Sequence, residues 1–148
     1  MTDHIQIRES NKESVVRALA GITALDINKV RAELHETLFF RLPYEEAVPD
    51  LDRDGFIQLL EGIFATFDKF EITVTQVFDL LDPTIVIATY TGDCSVRGQG
   101  TAYRNEYIGL FELTDGLIAR WQEYDNPVVV SRALAALSGQ VVGELNQT

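Results

Sequence analysis

Residues 103–137 read YRNEYIGLFELTDGLIARWQEYDNPVVVSRALAAL, and this stretch leaves the chain few ways to fold. Two alternating runs meet at Thr114-Asp115-Gly116. Asp and Gly both tolerate the positive φ of a tight turn, so the runs pair as an antiparallel hairpin. Asn126 before Pro127 then reads as a helix N-cap followed by a first-turn proline, and predicts a closing helix. Upstream, residues 71–81 and 84–96 are strand-like, as are 101–113 and 117–125 of the hairpin itself. Asp82-Pro83 and Gly98-Gln99-Gly100 are the turns before and after the middle run.

The first half of the chain is helical. Ser10-Asn11-Lys12-Glu13 matches a capping box, which predicts a helix after a frayed tail of residues 1–9, with Val15, Val16, Leu19 and Ile22 on one face. Asp26 can cap a short second helix carrying Ile27, Val30 and Leu34. Residues 37–42 read as a first strand ended by Pro43. Residues 43–54 hold two prolines and five acids (Glu45, Glu46, Asp50, Asp52 and Asp54), the composition of a solvated lid. From Phe56 onward Leu59, Leu60, Ile63, Phe64 and Phe67 recur at helical spacing, as a core-facing stripe. Helices, a short strand, a meander of long antiparallel strands and a last helix make an α+β domain, a curved sheet with helices on one face. The C-terminal residues 139–148 read as a tail.

Composition narrows the function classes. A chain of 148 residues, 46% hydrophobic and 24% charged, fits one domain with a proper core. The net charge of −11 repels phosphates, and no basic cluster stands against it, which argues against nucleic acid. No apolar run is long enough to span a bilayer and the N-terminus lacks a signal-peptide pattern, so a cytoplasmic protein without membrane association is expected. Cys94 is the single cysteine, and with only His4 and His35 beside it a metal centre is not expected. Small molecules and protein partners remain, with no cofactor implied.

Alternation sorts the candidate site. In the last strand Leu117, Ala119, Trp121, Glu123 and Asp125 share the more apolar face. Glu123 thus sits beside Trp121 on an apolar surface, where burial raises a carboxyl pKa toward the range a general acid or base needs. Asp125 can line the site or hold the turn into the last helix. Tyr103, Asn105, Tyr107 and Phe111 share a face of the preceding strand and offer groups that could orient a ligand. Ala88, Tyr90, Gly92 and Cys94 alternate inward on the strand before, with Gly92 leaving room for a ligand. Arg41 shares a face with Phe39 and could pair with an inward carboxylate, hold an anionic substrate, or end as a solvated strand residue. Cys94 reads as a small core residue.

The pattern Y-R-N-E-Y-x3-F-E-L-T-D-G-L-I-x4-E-Y-x-N-P resembles the C-terminal half of the SnoaL-like branch of the nuclear transport factor 2-like superfamily. Phe78-Asp79-Leu80-Leu81-Asp82-Pro83, then Ala88-Thr89-Tyr90-Thr91-Gly92, and Asn126-Pro127 leading to Arg132-Ala133-Leu134 are similar to the phenazine-biosynthesis A/B proteins in particular. The resemblance implies one SnoaL-like domain over 1–148, a cone-shaped sheet wrapped on helices (a cystatin-like roll), a deep apolar pocket, and a homodimer formed through the sheets. It also places Glu123 where the phenazine proteins have a proton-transferring glutamate. The partner groups differ. Tyr90 and Gly92, with Phe39 and Arg41, stand where the epoxide hydrolases of the superfamily hold their water, and Leu59 and Ile63 stand where the phenazine proteins have a histidine and a serine. Epoxide hydrolysis is therefore not expected. The reading is a pocket for a small, largely apolar metabolite in which Glu123 moves a proton, as in an isomerase or cyclase. The alternative is a non-catalytic ligand-binding or dimeric interaction module on the same fold.

Overall fold

In the computed structural model the chain is described over residues 3–100 and 102–146, with side chains to residue 136. Three helices and a strand precede a long antiparallel meander and a last helix: α1 (His4–Thr23), α2 (Ile27–Arg31), β1 (Leu34–Arg41), α3 (Arg53–Thr66), β2 (Phe67–Phe78), β3 (Ile85–Val96), β4 (Ala102–Thr114), β5 (Leu117–Tyr124) and α4 (Pro127–Asn146). The five strands form one sheet in the order β1-β5-β4-β3-β2, and β1 lies parallel to β5 while the other pairs are antiparallel. The architecture is the expected α+β one, a curved sheet with helices on it, though mixed rather than purely antiparallel. The β4–β5 turn is as the sequence reads, with Asp115 at φ 52° and Gly116 at φ 78°. The Asn126 side chain accepts from the Val128 N–H at 3.1 Å and starts α4.

Several boundaries differ from the sequence expectation: Leu34, read onto the second helix, opens β1, and Phe67, read onto the stripe of α3, opens β2, which starts four residues before the expected 71. α1 begins at His4, capped by Asp3, whose carboxylate accepts from the Ile5 N–H at 3.0 Å, and Ser10 lies inside the helix. The early turns are ordered from outside. Arg8 Nε donates to the Leu80 carbonyl at 3.1 Å, Asn11 Nδ2 to the Pro83 carbonyl at 3.0 Å, and Lys12 Nζ sits 2.7 Å from Asp79. At the other end α4 continues through the residues read as a tail to Asn146; Met1, Thr2, Thr101, Gln147 and Thr148 lie outside the described residues.

The core fills the space between α1, α3 and the concave face of the sheet. Val15, Ala18 and Leu19 come from α1, Phe56 and Leu60 from α3, and Val86, Phe111, Ile118 and Trp121 from the strands, all fully or almost fully buried. Trp121 and Ile118 are three residues apart, which strict alternation forbids on one face. A β-bulge resolves it: Arg120 pairs with Glu112 and Ile118 with Leu113, leaving Ala119 without an opposite residue. The inward set of β5 is thus Ile118, Trp121 and Glu123 rather than the expected Leu117, Ala119, Trp121 and Glu123. None of the described helices is long and apolar enough to cross a membrane.

Candidate functional site

A cavity of about 70 Å³ lies between α3 and the sheet, bounded by Leu59 and Ile63 above and by Tyr90, Tyr107 and Trp121 from successive strands below. Glu123 is its one charged lining group among the described residues. The Trp121 indole is fixed by three rings, with centroids 6.1 Å from Phe40, 5.0 Å from Phe56 and 5.0 Å from Phe111. Such offset and edge contacts hold an aromatic plane beyond what area burial alone does. Strand alternation identified Tyr90, Tyr107, Trp121 and Glu123, helical spacing and the family resemblance pointed to Leu59 and Ile63, and the fold brings these six together.

Glu123 accepts a short hydrogen bond from the Tyr90 hydroxyl. Burial pushes its carboxyl up from the ordinary 4.5 to about 7; the Tyr90 bond pulls the other way, the charge of Asp125 adds to the rise, and the Trp121 indole N–H opposes it. Near neutral pH the group is thus shared between its two forms, which suits it to take or give a proton. Tyr90, fully enclosed, is itself held well above its ordinary value by burial and then by the Glu123 charge, so it acts as a neutral donor.

A residue that sequence reading passed over makes this contact possible. Gly109 of β4 lies between Glu123 on β5 and Ala88 on β3, so Tyr90 must lean across it to reach the carboxyl. A Cβ on Gly109 would lie 2.7 Å from the Tyr90 hydroxyl oxygen and 2.6 Å from the Phe111 ring. Gly109→Ala is therefore expected to cost about 1–3 kcal/mol by overpacking. It should also raise the Glu123 pKa further, since the Tyr90 bond is what restrains it. Urea unfolding and an NMR titration of the Glu123 carboxyl carbon check both. Wild-type values in each would show that Tyr90 does not need the gap.

Other candidates fall outside the cavity. Phe39 and Arg41 point away from it. Leu38 and Phe40 are the buried residues of β1, the Arg120 guanidinium sits 5.2 Å over the Phe39 ring, and Arg41 pairs with Asp50 at 3.7 Å on the surface. The space beside Gly92 is taken by the Tyr107 ring, which a Cβ there would meet at 3.0 Å, so the glycine makes room for a tyrosine and not for a ligand. Asn105 is buried but committed. Its Nδ2 donates to the Tyr103 hydroxyl at 2.8 Å and the Asn126 carbonyl at 3.2 Å, and its Oδ1 accepts from the Asn126 N–H at 3.0 Å, so it ties β4 to the start of α4. Tyr107 in turn donates to Tyr103 at 3.4 Å. Cys94 is a buried core residue whose thiol burial pushes up to about 12.

Asp125 faces a partner that the sequence did not reveal. Glu45, read as part of a solvated lid, is half-buried beside it, and one oxygen of each carboxyl is buried. Burial first, then the charge of Asp125 and a hydrogen bond to it, push Glu45 up to about 7, while burial also raises Asp125. Two partly buried carboxyls set against each other, both raised by burial, favour a state that keeps a proton between them. The loop that carries Glu45 is anchored by Phe40 and Leu51, which exchange N–H···O bonds of 2.8 and 2.9 Å, and by Tyr44 against Tyr124 at 5.3 Å. Its far end caps α3, Asp52 accepting from the Gly55 N–H at 2.9 Å. Among the described residues no group of three His, Cys, Asp or Glu side chains is placed to hold a metal ion.

Comparison with known proteins bears on the family and the fold. The SnoaL-like domain model matches residues 15–121. The uncharacterised protein YesE of Bacillus subtilis (strain 168) is 31% identical over 131 residues, covering 82% of this chain and 84% of that one. Among solved structures, a putative isomerase from Bacillus subtilis superposes with a TM-score of 0.78 at 25% identity, covering 90% of this chain and 96% of the other. A phenazine biosynthesis-related protein from Pseudomonas aeruginosa superposes with a TM-score of 0.73 at 22% identity, over 90% of each chain. The latter likeness is one of fold.

Proposed function

Because the chain belongs to the SnoaL-like domain family, we propose that it is an acid–base enzyme of the isomerase or cyclase kind, in which Glu123 moves a proton on a small, largely apolar ligand. The observation that carries this is the Glu123 carboxyl, lining an apolar cavity, bonded to Tyr90 and poised at about 7. Apolar walls hold the ligand by its shape and leave the carboxyl as the one group able to exchange a proton with it. Tyr90 keeps the carboxylate oriented and stabilises its charged form. The likeness to the putative isomerase supports the reading. A reaction that only relocates a proton conserves the mass of its substrate and exchanges hydrogen with solvent.

The test follows from that property. A panel of small carbonyl and alkene compounds is incubated with the protein in D2O, and deuterium uptake is read by mass spectrometry. Wild type is expected to label at least one compound, with a limb in the rate near pH 7, and Glu123→Gln to slow labelling by about a hundredfold or more. Labelling that survives in Glu123→Gln sinks the role of this residue. If no compound labels while several bind, the protein is a ligand-binding module, a reading that the committed Asn105, Tyr103 and Tyr107 hydroxyl and amide groups favour.

A further inference from the structure

The Trp121 indole nitrogen is buried with no hydrogen-bond partner among the described residues, on a residue 1% exposed that lines the cavity. An indole nitrogen can only donate, and leaving such a donor unpaired away from water is unfavourable, so it calls for an acceptor. The described residues supply none in good geometry. The Tyr90 hydroxyl oxygen and the Glu123 carboxylate keep acceptor capacity and lie near enough for the N–H to ease their negative charge, but neither meets it in hydrogen-bond geometry, and Asn105 is spent on Tyr103 and Asn126. The rings of Phe40, Phe56 and Phe111 hold the indole plane in place, so the N–H cannot turn to another partner. It eases negative charge on both Tyr90 and Glu123, which puts it at the polar corner of the cavity.

We infer that Trp121 is the specificity-determining donor of the pocket, and that the ligand presents an acceptor oxygen of the carbonyl class to its indole N–H. A carbonyl oxygen accepts and needs nothing further from a wall whose remaining surface is almost wholly apolar. A bare hydrocarbon leaves the donor unpaired. The cavity of about 70 Å³ restricts the part of the ligand that enters to a compact ring or short chain, smaller than the engineered apolar cavities of about 150 Å³ that admit benzene. This inference rests on the cavity being the binding site of the proposed function and names what it selects.

Because Trp121 is the only tryptophan, its indole N–H gives a single resonance in a ¹⁵N–¹H spectrum of the full chain. The probes are acetone and its hydrocarbon counterpart, isobutane. Acetone is expected to move the indole proton downfield in a saturable manner, isobutane to leave it near its free position, and Trp121→Phe to narrow the preference for ketone over hydrocarbon about tenfold. An indole resonance that ketone does not move, at concentrations up to its solubility, overturns the inference. So does equal binding of ketone and hydrocarbon by wild type. An indole that follows only the titration of Glu123 would show it to be a support for that carboxyl, and also overturns it. Labelling that survives in Glu123→Gln while wild type keeps its ketone response sinks the catalytic reading alone, and a missing ketone response in wild type that still labels a compound sinks this inference alone, so the two failures are separate.

Discussion

The stability of the protein is expected to fall as pH rises from about 4.5 to about 7, and Glu123→Gln to remove much of that fall. The sign comes from linkage. A carboxyl whose folded pKa lies above its unfolded one binds its proton more tightly in the folded state, so unfolding releases protons between the two values and the folded state loses ground as pH rises. Below about 4.5 both states are protonated and nothing is lost; above about 7 the loss is complete and the curve flattens. At about 1.4 kcal/mol per pH unit the Glu123 shift corresponds to at most roughly 3 to 4 kcal/mol. Glu45 and Asp125 act in the same direction. The surface acids Asp79, Asp82 and Asp93 are held below their ordinary values by their partners, so their contribution is lost only in more acid solution and does not overlap this window. Urea unfolding at a series of pH values, for wild type and Glu123→Gln, measures the difference. Parallel curves for the two would show that the carboxyl is solvated in the folded state.

The second large effect lies in the aromatic box. Phe56 is 2% exposed, stacked on Phe40 at 4.3 Å and set edge-on to Trp121 at 5.0 Å. Phe56→Ala is expected to cost about 3–5 kcal/mol, the transfer term plus the void that rigid neighbours cannot close. The void joins the existing cavity, so the same variant should admit a larger ring than wild type does. A loss of less than about 1.5 kcal/mol would mean that α3 collapses into the space. A measured rise in affinity for cyclohexanone relative to cyclopentanone would show that it does not. Stability and ligand size are thus coupled through a single side chain, and the coupling has opposite signs for the two properties.

Much of this was legible in the sequence because it depends on local pattern. The hairpin turn, the Asn126 cap and the stripe of α3 each follow from residues within one element. So does the pairing of Trp121 and Glu123 on one face, since they lie after the bulge and alternate normally. What was missed depends on contacts between distant elements. In β1 both faces carry a phenylalanine, and Phe39 with Arg41 could not be separated from Phe40 by aromatic content; Leu38 and Leu42, which share the parity of Phe40, were the available signal. The helical start at His4 is held by carbonyls of the β2–β3 turn, about seventy residues away. Glu45 looked like one acid among five, and only the folded loop sets it against Asp125. Gly109 carries no chemistry of its own, and its use appears only once Tyr90 is seen to cross it.

The bulge at Ala119 bears on how this strand can change over generations. Loss of the Ala119 codon would turn β5 into a plain alternating strand in which Ile118, Trp121 and Glu123 still face inward, at the expense of local twist alone. Loss of the Gln122 codon, three positions later, would send Glu123 to the outer face while Trp121 stayed inside, and the cavity would lose its carboxyl. Length variation in this strand is therefore tolerable on the hairpin side of Trp121 and ruinous on the other, which divides β5 into a half that is free to drift and a half that is not.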